Sequence, residues 1–143
     1  IIYVTRFDEA AHLLSVCWLE VRGNIQNTIF LPGVYVVSFR IMLVKPDGFR
    51  DWPIKLRVST SNGQLVESER FLEGDQSRCR NTVAPLRPVG GDWFELDVGE
   101  FSVETEMSLT VDFSLRETEG QWWKQGLVLD CVKVQLSNAL FGI

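Results

Sequence analysis

Residues 107–116 read MSLTVDFSLR. Met107, Leu109, Val111, Phe113 and Leu115 alternate without a miss against Ser108, Thr110, Asp112, Ser114 and Arg116. Successive side chains of an extended chain point to opposite faces, so this run predicts a strand with one buried and one wet face. Antiparallel sheets covered on one side carry that signature. Working outward, the same period recurs. Ile54, Leu56 and Val58 alternate with Lys55, Arg57 and Ser59. Asn62-Gly63 follows and predicts a hairpin, because both residues tolerate the positive φ of a type I′ turn. The strand returning from it covers residues 64–72. Residues 17–25 alternate too, with Cys17, Leu19 and Val21 opposing Trp18, Glu20 and Arg22. Leu31-Pro32-Gly33 is a turn, and residues 34–44 form a long apolar strand carrying Ser38 and Arg40. Residues 93–101 predict another strand, broken near Gly99, and residues 127–136 the last.

Three stretches depart from period two. Phe7, Ala10, Ala11 and Leu14 fall at helical spacing, and Thr5 with Asp8 resembles a capping signal, so residues 8–14 predict one short N-terminal helix. Residues 45–53, KPDGFRDWP, predict a polar loop. Residues 73–91 hold Arg78, Arg80, Arg87 and two prolines and predict a long loop, partly disordered. Seven or eight strands separated by turns imply an all-β fold, an antiparallel sandwich. With 143 residues and no internal repeat, the chain reads as one domain over 1–143.

The formal net charge of −5 argues against a nucleic-acid partner, since a phosphate backbone demands a basic face. No apolar run reaches the length of a membrane span. The first residues, IIYVTRFDE, lack the basic and apolar regions of a signal peptide, and the absence of an initiator Met predicts a fragment or processed form. The three cysteines, Cys17, Cys79 and Cys131, are odd in number and lack CxxC spacing, and no Asn-x-Ser/Thr acceptor occurs. These features favour a reducing compartment, cytoplasmic or nuclear.

Catalytic signals are thin. His12 is the sole histidine and sits among apolar residues, so a Ser-His-Asp or Cys-His arrangement has no local support. No HExxH, P-loop or GxGxxG occurs. Glu104 and Glu106 share a strand face, and solvent is the ordinary fate of such a pair; a glycosidase built on two carboxylates is a remote reading. No catalytic residue, metal site or cofactor is expected.

A binding role fits better. Residues 119–124, EGQWWK, set two indoles between a glycine and an apolar strand. In an extended segment Trp122 and Trp123 cannot both enter one core, and Trp122, further from the strand, is the one expected at the surface. An indole packs against the C–H face of a sugar and its N–H donates to a hydroxyl, while Glu119, Gln121 and Lys124 can pair with other hydroxyls. The segment DGFRDW, with Asp47, Arg50, Asp51 and Trp52, is a second candidate of the same type. Trp and Arg also anchor protein partners, and residue type alone leaves both readings open.

Four blocks carry a resemblance. AAHLLSVCWLEVRGNI (residues 10–25) resembles the VAELxxVxWLDIxGKI run of the phloem protein 2, or Nictaba-like, plant lectins. LPGVYVVSFRIML (31–43) is similar to their SPGTxYxAYLVFKL segment, and GGDWFELDVGEF (90–101) resembles DGWxEIxLGEF. GQWWKQGLVLDCVKV (120–134) is similar to the ending GxWKxGLIVxGIxI. The resemblance implies a jelly-roll-like β-sandwich that is not an enzyme and binds N-acetylglucosamine oligomers or N-glycan cores on glycoproteins. It implies that Trp122, Trp123 and Lys124 occupy the sugar-binding loop, as the aromatic-Trp-Lys loop does in the similar animal F-box-associated domains. Many members carry the domain behind an F-box, which implies an alternative role as the substrate-recognition part of a ubiquitin ligase, without sugar binding. Phloem sap becomes a further expected location. The family's ITW…YW segment, whose tryptophans contribute to the lectin site, is not recognisable at IIYVTRFDEA, being either absent from this sequence or diverged beyond recognition. An exposed sheet edge leaves a homodimer open.

Overall fold

A computed structural model describes residues 2–12, 17–120 and 122–138. They form a jelly-roll-like antiparallel β-sandwich of two sheets. One sheet contains β1 (Ile2–His12), β3 (Gly33–Asp47), β6 (Leu86–Gly90), β7 (Trp93–Val103) and β9 (Gln125–Asn138), in the order β1-β9-β3-β7-β6. The other contains β2 (Leu19–Phe30), β4 (Ile54–Thr60), β5 (Leu65–Arg70) and β8 (Met107–Glu117), in the order β2-β8-β4-β5. One 3-10 turn, Gln76–Arg78, is capped by Asp75, whose side chain accepts from the Ser77 N–H. Among the described residues no helix is long and apolar enough to cross a membrane.

The alternation in the sequence becomes the core. On β8, Leu109, Val111, Phe113 and Leu115 are buried while Asp112 is exposed. Ile54, Leu56 and Val58 of β4 continue that inner layer, and Tyr35, Val37, Phe39 and Ile41 of β3 face it from the other sheet. Phe39 and Phe113 meet edge to face at 5.9 Å, joining the two layers. Phe30 does the same against Tyr35 at 5.1 Å and Phe101 at 5.7 Å. Such pairs add about 0.5–1.5 kcal/mol beyond the area they bury. Gly23 sits opposite Phe113 in the β2–β8 ladder, where a Cβ would lie 2.7 Å from the Phe113 ring; the missing side chain gives the ring its space.

Three local expectations change. The helix expected over residues 8–14 is not found: the backbone is extended to His12, and residues 13 and 14 lie outside the described residues. A helix of two turns is marginal in water. Pairing with β9 from Ile2–Gln135 to His12–Val128 engages one side of β1 instead, with an irregularity between Arg6 and Ala11. The loop expected over residues 73–91 contains β6, an edge strand where Pro88 removes a donor that the ladder does not require. The break expected near Gly99 is a bulge within a continuous β7: Val37 faces Gly99 and Ser38 faces Asp97, leaving Val98 extra.

Candidate functional site

The two Trp-bearing segments meet at one end of the sandwich. β3 and β9 are neighbours, and the last pair of their ladder is Asp47 with Gln125. The chain leaving β3 and the chain entering β9 therefore emerge side by side. Between Leu43–Leu127 and Asp47–Gln125 the ladder is bulged, with Lys45 at φ 46° and Gly126 at φ 88°. A Cβ on Gly126 would lie 2.8 Å from Pro46 Cα, so only glycine lets the two backbones approach this closely.

Further out, Gly48 repeats the device. It has φ 87°, and a Cβ there would collide with the Trp123 carbonyl and lie 2.9 Å from Lys124 Cα. Gly120 is the third contact: a Cβ would lie 2.7 Å from Trp52 Cδ1. The sequence expectation of two candidate segments of one type thus becomes a single surface, clasped at three glycines.

An ion pair holds the second loop from inside. The Glu117 carboxylate accepts from the Gly120 N–H at 2.7 Å and pairs with Lys124 Nζ at 3.2 Å. The Lys124 ammonium also donates to the Trp122 carbonyl at 3.2 Å and to the Cys17 carbonyl at 2.5 Å. Both side chains are buried, at 1% exposure for Lys124 and 2% for Glu117. A buried charge is tolerated only when paired and hydrogen-bonded, and this one is.

Turning Lys124 inward turns both indoles outward. Trp122 and Trp123 are each 64% exposed, so the expectation that Trp122 alone would face solvent is too narrow. It assumed an extended segment, whereas the regular strand begins only at Gln125. Lys124, expected at the surface beside them, is internal and holds the loop rather than facing solvent.

Trp122 and Trp123 line a cavity of about 190 Å³ with Asp47, Gly48, Arg50 and Asp51. Arg50 is also exposed and pairs with Glu73 at 2.8 Å; that hydrogen bond, foremost, raises its pKa. Trp52, 42% exposed, and Glu119 line an adjoining groove of about 90 Å³ with Lys55 and Arg116. Lys55 Nζ and Glu119 Oε1 are 2.7 Å apart across it. Gln121, another expected contact, lies outside the described residues.

Trp18 is a further exposed indole that the sequence reading did not single out. It is 66% exposed, its indole N–H donates to Glu20 at 3.1 Å, and its neighbour Cys17 supplies the carbonyl that Lys124 binds. The alternation of Trp18 against Cys17 and Leu19 already set it on the wet face; its link to the loop through Lys124 is a long-range contact.

A family model described as phloem protein 2 matches residues 2–136. The F-box protein PP2-A15 of Arabidopsis thaliana is 34% identical over 143 residues, covering 90% of this chain and 46% of that protein. Protein PHLOEM PROTEIN 2-LIKE A1, also of Arabidopsis thaliana, is 30% identical over 129 residues, with 89% and 48% covered. A protein named lectin from Luffa acutangula is 28% identical over 129 residues, with 89% and 54% covered. The chain spans about half the length of the curated relatives it matches. Among solved structures, the CBM22-1 xylan-binding domain from Paenibacillus barcinonensis Xyn10C aligns with 95% of this chain and 86% of its own at 14% identity and a TM-score of 0.33, a likeness too low to establish a shared ligand.

Proposed function

The chain belongs to the phloem protein 2 family, and from that premise we propose that it is a carbohydrate-binding domain, not an enzyme, whose clasped loops take N-acetylglucosamine-containing glycans. The observation that carries the reading is the pair of exposed indoles, Trp122 and Trp123, on one cavity with Asp47, Arg50 and Asp51. Two aromatic faces offer stacking for apolar C–H patches, and the carboxylates and guanidinium beside them accept from and donate to ring hydroxyls. Trp52 and Glu119 extend the surface by one further aromatic and one further acceptor. Lys124 and Glu117 hold the loop in its open shape before any ligand arrives, which lowers the ordering cost of binding. The relative named lectin supports the class of ligand. Titration with chitotriose, followed by tryptophan fluorescence, tests the reading; a folded protein that gives no response at millimolar sugar removes it.

A second reading draws on the relatives named F-box proteins, of which this chain spans about half. The same exposed indoles and Arg50 suit a protein partner, since Trp and Arg dominate interface hot spots. The domain would then select substrates for a ubiquitin ligase in the cytoplasm or nucleus. Capture of glycosylated but not deglycosylated forms of one protein separates the two.

A further inference from the structure

The outward face of the four-stranded sheet is a grid fixed by register. Ser114 of β8 stands between Arg22 of β2 and Arg57 of β4. One row nearer the loops, Arg116 stands between Glu20 and Lys55; one row further, Asp112 stands between Asn24 and Ser59. A cavity of about 440 Å³ opens over this grid.

The charges on it are unevenly matched. Arg22 is neutralised by Glu20, whose Oε1 accepts from Arg22 Nε at 2.6 Å. Arg57 and Arg116 make no ion pair or hydrogen bond among the described residues. They are diagonal neighbours across the β4–β8 ladder, a relation that sets residues about 7–8 Å apart, within reach of long side chains. Both guanidiniums border one cavity without a direct contact, Arg57 opposite Glu67 of β5 and Arg116 opposite Glu20 of β2 in the ladders. A guanidinium fork matches a carboxylate with two parallel hydrogen bonds.

The grid is not uniformly basic. Asp112 lies in its floor and Glu20 at its rim. Polyphosphate carries no donor for Asp112 or Glu20. A sugar acid does: its hydroxyls can donate to Asp112, while Ser59 and Asn24 both donate and accept. We propose that this face binds an acidic oligosaccharide bearing one carboxylate per ring, with one carboxylate held between Arg57 and Arg116 and neighbouring hydroxyls on Asp112, Asn24 and Ser59. The face meets the clasped loops at Arg116, which also lines the groove of Trp52 and Glu119, whereas Arg57, Asp112, Asn24 and Ser59 line the sheet-face cavity alone.

The test is calorimetric titration of the intact chain with trigalacturonate at low ionic strength. Arg57→Ala and Arg116→Ala, both outward-facing changes checked for fold by circular dichroism, each weaken binding at least fivefold, and raising salt weakens the wild type. Trp123→Ala binds trigalacturonate like the wild type. No binding by the wild type, equal binding by both arginine variants, or equal binding of the carboxyl-reduced trisaccharide overturns the proposal. So does loss of trigalacturonate binding in Trp123→Ala, which would assign the ligand to the loops, or equal affinity for a tetraglutamate peptide, which would assign the face to acidic protein segments.

Discussion

The ammonium of Lys124 and the carboxylate of Glu117 lie 3.2 Å apart with 1% and 2% of their side chains exposed. Removing one partner strands the other charge in the interior. Lys124→Met is expected to cost about 3–5 kcal/mol, whereas Lys124→Met with Glu117→Leu recovers much of that loss. Denaturant melts of the single and double variants read the difference. A single variant as stable as the wild type would mean the pair is solvated.

Trp122→Ala and Trp123→Ala remove exposed indoles, and each is expected to change stability by no more than about 0.5 kcal/mol. Loss of chitotriose affinity of tenfold or more in each corresponds to at least ~1.4 kcal/mol of binding. Thermal melts paired with fluorescence titration check both halves. A large fall in melting temperature would return that indole to a structural role.

Gly48→Ala sets a Cβ on a residue with φ 87° and against the Trp123 carbonyl. Strain of this kind costs on the order of 1–3 kcal/mol. The loop carrying the two indoles must shift to make room, so sugar affinity falls together with stability, unlike the tryptophan variants. Amide shifts in residues 122–124 would report the movement.

Acid sensitivity follows from the outer face of the five-stranded sheet. Burial pushes Asp97 and Glu95 upward, but hydrogen bonds outweigh it: Arg87 and Ser38 on Asp97, Lys133 and Arg87 on Glu95, leaving both carboxyls below their ordinary values. Arg87 contacts Asp97 at 2.7 Å and Glu95 at 3.0 Å. A depressed folded pKa contributes stability that is present above the unfolded value and lost as pH falls through the folded one. Stability therefore declines below the ordinary carboxylate range of about pH 4, and Arg87→Ala makes that decline shallower. Denaturant melts between pH 7 and pH 3 measure both slopes.

The sandwich was legible because its strands keep one face wet. In residues 107–116 the alternation survives intact as the buried and exposed sides of β8. β6 was hidden because prolines at 85 and 88 read as loop, although an edge strand tolerates them. Residues 8–12 showed helical spacing, but the open side of β9 decided their backbone. The two Trp segments were each readable as binding material. Their convergence depends on the β3–β9 register, a pairing between residues some eighty positions apart that no local pattern encodes. The inward turn of Lys124 was equally unreadable, since its partner carbonyl at Cys17 is 107 residues away.

The Asp47–Gln125 pair divides the molecule into two regimes of tolerance. On the sheet side of it, a slip of one residue would turn Phe39 and Val132 from the core to solvent, so β3 and β9 can change length only in step. Beyond it, the two segments meet at glycines, Gly48 against the Trp123–Lys124 backbone and Gly120 against the exposed Trp52 ring. The exposed positions 50–52 and 122–123 can therefore be exchanged without renegotiating the hydrophobic interior, which on this side ends at the buried Phe49. The fold thus behaves as a socket, in which diversification of the recognition tip is mechanically uncoupled from the frame that carries it.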